Sequence, residues 1–209
     1  MLIRETAVRI DGPVGELEGL YLTPENPIGI ALLCHPNPVQ GGTMLNKVIS
    51  TLQRTARDQG YITLRFNYRG VLGSEGTHDM GEGEVDDAYA AFMWLHEKHP
   101  ELPVTLMGFS FGGFVAASLA ARLAKEGVTV ARTFMVAPAV HRLADATALN
   151  GLGALTVIQP EADEVIEPQI VYDWSERLAH PHTLLKVAEC GHFFHGKLTD
   201  LKDLVIPRL

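Results

Sequence analysis

Cysteine is scarce in this chain: there are two, Cys34 and Cys190, and they form no Cys-x-x-Cys pair. That excludes a disulfide scaffold and a thioredoxin-like redox motif, and leaves two reduced, buried thiols as the expected state. Positive charge is also short. The 17 Lys and Arg face 25 Asp and Glu, a formal net charge of −8, which excludes a protein that tracks nucleic-acid phosphates. Net charge says nothing about the charge of a substrate. No apolar run approaches the roughly 20 residues of a membrane span. The start, Met1-Leu2-Ile3-Arg4-Glu5, lacks the apolar core and small-residue cleavage site of a signal peptide. The expectation is a cytoplasmic protein with no membrane and no nucleic-acid partner. No repeat, low-complexity tract or charged linker divides the 209 residues, so 1–209 is read as one domain.

What is present is apolar mass, 46% of the residues, arranged in alternating strand and helix patterns. Thr6 to Ile10 and Gly15 to Leu22 read as a hairpin at a sheet edge, turned by Gly12-Pro13. After them, Ile28 to Cys34, Tyr61 to Tyr68, Val104 to Phe109, Thr133 to Ala137, Leu155 to Gln159 and Thr183 to Ala188 read as strands. Several are continuous apolar runs, the mark of strands buried on both faces. Helix-period stretches fall between and after them: Leu45 to Gln59, Glu84 to Lys98, Phe111 to Glu126, Pro168 to Ala179 and Lys197 to Val205. Such alternation predicts an α/β fold, a mostly parallel sheet of about eight strands with helices on both faces. Chemistry in such sheets gathers at the carboxyl ends of the strands.

Gly108-Phe109-Ser110-Phe111-Gly112 stands at one such end, between a buried strand and an alanine-rich helix. A tight strand-to-helix turn strains the serine backbone, and glycines at 108 and 112 remove the clashes that side chains would make. The new helix aims its first N–H groups at an oxyanion formed on attack. Ser110 is therefore the candidate nucleophile, and it needs a base and an orienting acid, expected in the order serine, acid, histidine. Past the strand Leu155–Gln159, the run Pro160-Glu161-Ala162-Asp163-Glu164-Val165 offers three carboxylates. Asp163 fits best, just before the chain returns to apolar residues, with Glu161 and Glu164 read as solvated charges. Glu189-Cys190-Gly191-His192-Phe193-Phe194-His195-Gly196 follows the last strand. Gly191 permits a sharp loop and the phenylalanines can shield an imidazole, which makes His192 the candidate base and His195 its competitor. A metal site at His192 and His195 lacks a matching set of ligands.

His35-Pro36-Asn37-Pro38-Val39-Gln40-Gly41-Gly42 follows the first buried strand, where an oxyanion N–H is expected. Prolines cannot donate, which leaves Asn37 or Val39; Asn37 is preferred, with Phe111 as the second donor. Arg69-Gly70-Val71-Leu72-Gly73-Ser74-Glu75-Gly76 lacks the Gly-Lys-Ser/Thr ending of a P-loop and reads as a structural crossover or pocket wall.

Five runs in order, His35-Pro-Asn-Pro to Asn46-Lys47, Phe66 to Gly76, Gly108 to Gly112, Glu161 to Val165 and Gly191 to Gly196, resemble the small, lidless α/β-hydrolases of bacteria. The likeness covers nearly the whole chain. It departs where Asn37 replaces the second histidine of a His-Pro-His-Pro loop and where Pro160 stands in place of a frequent glycine. The resemblance implies the α/β-hydrolase fold and a triad of Ser110, Asp163 and His192; no cofactor or metal is expected. Only about sixteen residues separate the strand ending near Ala137 from that starting near Leu155, too few for a cap domain. The resemblance implies little about substrate; the triad and an open, capless site lead us to expect hydrolysis of a small-molecule carboxylic ester. Thioesterase, amidase and peptidase activities share the same machinery, and a non-catalytic ligand-binding protein is the rival from another class. Nothing in the sequence chooses between monomer and homodimer.

Overall fold

The computed structural model describes residues 4–143 and 149–209. Eight strands form one sheet: β1 (Thr6–Gly12), β2 (Gly15–Leu22), β3 (Gly29–Cys34), β4 (Tyr61–Phe66), β5 (Val104–Phe109), β6 (Val130–Val136), β7 (Ala154–Pro160) and β8 (His182–Val187). Their spatial order is β1-β2-β4-β3-β5-β6-β7-β8. β1 and β2 form the expected edge hairpin and join β4 antiparallel. The rest of the sheet is parallel.

Among the described residues five α-helices cover it: α1 (Lys47–Asp58), α2 (Glu82–His96), α3 (Phe111–Lys125), α4 (Pro168–Arg177) and α5 (Leu198–Val205). Side chains alternate across a strand, so β3 feeds two cores at once. Ile30, Leu32 and Cys34 belong to one core that runs on to Phe92 of α2, Val115 of α3 and Trp174 of α4. Ala31 and Leu33 belong to the other, with Ile49 and Leu52 of α1 and, beyond them, Leu201 of α5. β3, β4 and β5 are buried along their whole length, which is why their sequences are apolar without alternation.

The chain steps from β3 through α1 to β4, then returns past β3 to β5. The loops leaving β3 and β5 therefore part in opposite directions, and a crevice opens between them at the carboxyl edge of the sheet. β4 ends at Phe66, two residues earlier than its sequence suggests. There Asn67 leaves the ladder to accept from Met44 N–H at 2.9 Å and donate to Glu18 at 2.8 Å. The glycine loop beyond it is laced to its neighbours, as a crossover should be. Ser74 Oγ donates to Asn67 O at 2.7 Å and accepts from Glu18 N–H at 2.9 Å, and Arg69 grips the buried Asp87 of α2 at 2.8 Å. The stretch between β6 and β7, expected to be too short for a cap, includes 144–148, which lie outside the described residues.

Candidate active site

Ser110 sits at the end of β5 with φ +56° and ψ −118°, a backbone state costly for any residue with a side chain. The surroundings hold it there. Its N–H donates to Val136 O at 2.8 Å, and its carbonyl accepts from Gly113 N–H at 2.9 Å and Ala139 N–H at 3.1 Å. The two glycines of the motif earn their places by contact. A Cβ on Gly108 would lie 2.0 Å from Gly112 O, and one on Gly112 would lie 2.0 Å from Cys34 O. The turn after β5 is thus pressed directly against the end of β3, at the crevice.

Asp163 and His192 arrive from the loops after β7 and β8. His192 Nδ1 lies 2.8 Å and 3.0 Å from the two oxygens of Asp163, and the ring is almost wholly buried. Asp163 also accepts from Val165 N–H at 2.9 Å, Ile166 N–H at 2.7 Å and the Gln159 amide at 3.1 Å. Burial alone would raise its pKa. The hydrogen bonds from His192, Ile166 and Val165 outweigh burial and hold the carboxyl below its usual 3.8. An ionised acceptor at Nδ1 keeps the proton there and leaves the Nε2 lone pair free to act as a base. The imidazole lies against the ring of Phe109, the residue before Ser110, at 4.9 Å between centroids. Phe193 meets it edge-on at 5.0 Å. Of the two phenylalanines expected to shield the histidine, Phe193 does so directly, whereas Phe194 is buried in the α1/α5 core.

Glu164 has a second role beyond its solvated charge. It is exposed, as a solvated charge should be, but one of its oxygens also accepts from the backbone N–H of His192 at 3.0 Å. It crowds Gly191 so closely that a Cβ there would lie 2.9 Å from its carboxylate. Gln159 is a further site residue, and a polar residue at the end of the apolar run of β7 is the signal in the sequence that a buried partner awaits it. His195 is exposed, and the Asp163 carboxylate is bound to His192 instead.

In the loop after β3, Asn37 Oδ1 accepts from Val39 N–H at 3.0 Å, and Asn37 O accepts from Gln40 and Gly42 N–H at 3.1 and 2.9 Å. The Val39 N–H is therefore engaged within the loop. His35 beneath it is fully buried. Its Nδ1 donates to Pro36 O at 2.7 Å and its Nε2 accepts from Tyr68 N–H at 3.2 Å. Burial pushes its pKa down to about 3, so the imidazole is neutral. Phe111 begins α3, with its ring buried against Tyr68 and beneath the Arg142 guanidinium, 5.1 Å away. Both thiols are free and buried, and burial raises Cys34 to about 12 and Cys190 to about 11. Among the described residues no cluster of His, Cys, Asp or Glu is suited to a metal, and no helix is long and apolar enough to cross a membrane.

An α/β serine hydrolase homologue from Coxiella burnetii superposes with a TM-score of 0.91 at 33% identity, over 100% of this chain and 99% of its own. XC6422 from Xanthomonas campestris, described as an α/β serine hydrolase without a lid, gives 0.89 at 37% identity over 97% of this chain and 92% of its own. An uncharacterized protein of Rickettsia prowazekii is 32% identical over 209 residues, 95% of this chain and 86% of the relative. Together with the strained serine and the carboxylate-bound histidine, these define the class: a lidless α/β hydrolase of the serine type. Within it, residues 24–173 match the model of the X-Pro dipeptidyl-peptidase (S15) family, and the chain belongs to that family.

Proposed function

We propose that this hydrolase cleaves small carboxylic esters through an acyl-enzyme on Ser110. His192 takes the serine proton at Nε2 and returns it to the leaving alcohol, while Asp163 keeps the proton on Nδ1 and steadies the imidazolium. The N–H groups of Phe111 and Asn37 stabilise the oxyanion. Asn37 is favoured over Val39 because the Val39 N–H is already bound by the Asn37 side chain. Water then attacks the acyl-enzyme with His192 again as base. The observation that carries this reading is the buried Asp163–His192 pair at 2.8 Å, packed against the ring of the residue before a serine held at φ +56°. The buried free thiols suit a reducing compartment, and we place the enzyme in the cytoplasm.

Ser110→Ala is expected to abolish turnover of 4-nitrophenyl acetate, a loss of at least about 10³-fold, with the thermal midpoint changed little. Undiminished hydrolysis in that variant would remove the mechanism. A second reading, peptidase, is favoured by the family match over residues 24–173. The same triad cleaves amides, so assaying an X-Pro 4-nitroanilide beside the ester separates the two. Turnover of the ester alone supports the esterase.

A further inference from the structure

Two of the sequence runs set apart above contain residues that the proposed mechanism leaves unused: Asn46-Lys47 in the first and Phe193 with His195 in the last. They meet at one place. A cavity of about 290 Å³ is lined by Asn46, Lys47, Val48, Phe193 and His195. Its wall is shared with the candidate base, because the Phe193 ring that lines it packs edge-on against His192 at 5.0 Å.

The lining has a definite chemistry. Val48 and the half-exposed Phe193 supply an apolar floor. The Asn46 oxygen is committed to capping α1, accepting from Val48 N–H at 2.8 Å and Ile49 N–H at 3.4 Å. Only its amide N–H groups remain for a ligand. Lys47 is exposed and joins no ion pair among the described residues. The His195 imidazole stands 6.0 Å from the Phe193 ring. The polar lining is thus an ammonium, an amide donor and an imidazole, with no carboxylate among the lining residues. Such a surface matches an acceptor-only group of negative charge.

We infer that this cavity is a subsite for the leaving alcohol of the substrate, and that it selects alcohols carrying a carboxylate on a small ring or short chain. The inference rests on the proposed ester hydrolysis. The side follows from the mechanism: His192 hands its proton to the departing oxygen, so the alcohol leaves along the histidine wall, where Phe193 opens into the cavity. Lys47 and His195 are specificity residues here and take no part in bond breaking.

The test compares 3-acetoxybenzoate with 3-acetoxybenzamide, which share acyl group and shape and differ in charge. The wild-type kcat/KM is expected to favour the carboxylate, and Lys47→Met to lower that ratio about 3- to 10-fold. His195→Gln is expected to lower it less. Hydrolysis of both esters with a ratio indifferent to Lys47→Met overturns the subsite and spares the esterase. A preference that appears only for an acyl-side carboxylate, 4-nitrophenyl hemisuccinate over 4-nitrophenyl valerate, overturns the assignment to the alcohol side. Product binding gives a readout free of turnover. Titration of Ser110→Ala with 3-hydroxybenzoate is expected to shift the amide resonances of Lys47 and His195, and 3-hydroxybenzamide to leave them in place. Failure of every ester to turn over removes the esterase reading, whereas absence of those shifts removes the subsite.

Discussion

A single carboxylate shows how much the histidine loop depends on its neighbour. Glu164 holds the His192 backbone N–H at 3.0 Å, and no substrate need touch it. It is a positioning residue in the proposed mechanism, and its loss should loosen the imidazole without altering the pocket. Glu164→Ala is expected to lower kcat about 3- to 10-fold with KM little changed, and Glu164→Gln, which keeps an accepting oxygen, to recover most of it. Steady-state kinetics on a neutral ester check this; a loss confined to KM would contradict it. Sequence could nominate Ser110, Asp163 and His192 because each follows a strand with its own local signature. The second role of Glu164 is not legible in sequence, because an exposed loop carboxylate looks the same whether or not one oxygen also accepts a backbone N–H 28 residues away.

At the scale of elements, the turn from β5 into α3 is set by contact with β3. The Cβ of an alanine at 112 would lie 2.0 Å from Cys34 O and 2.7 Å from His35 O, both backbone. Neither strand can yield without disturbing the sheet, so Gly112→Ala is expected to destabilise the protein by about 1–3 kcal/mol or more. It should also displace the Phe111 N–H and depress activity well beyond that cost. Urea unfolding beside an ester assay measures both, and a variant with wild-type midpoint and rate would show that the turn has slack. Most element positions were legible in the apolar runs. Their ends were less so: α2 runs Glu82–His96, not from Glu84, because the Glu84 side chain folds back to accept from Gly81 N–H at 2.7 Å and Asp79 N–H at 2.8 Å. β6 begins at Val130, ahead of the visible apolar run, because pairing with β5 supplies what the pattern around Arg132 does not.

For the molecule as a whole, His35 couples the buried crevice to pH. Its folded pKa is about 3 against an ordinary 6.5, so between these values the unfolded chain takes up a proton that the native protein refuses. Its contribution to stability is complete above about pH 6.5 and is lost as pH falls toward 3, at up to about 1.4 kcal/mol per pH unit. Asp163, held below 3.8, adds a loss at still lower pH, as its carboxylate is protonated. Urea midpoints of the wild type should therefore decline from pH 6.5 to pH 4, and His35→Gln, which still accepts from Tyr68 N–H, should flatten that slope. Equal slopes would mean that His35 is not the group responsible.

The sequence by itself determined the strand–helix alternation, the serine turn and the order of acid and histidine, because each is written in a few adjacent residues. Only the tertiary structure decided which loops meet. The Asp163–His192 pair, the Glu164 support and the cavity between Lys47 and His195 all join segments far apart in the chain. Strand order at the crevice, not spacing along the chain, sets those distances.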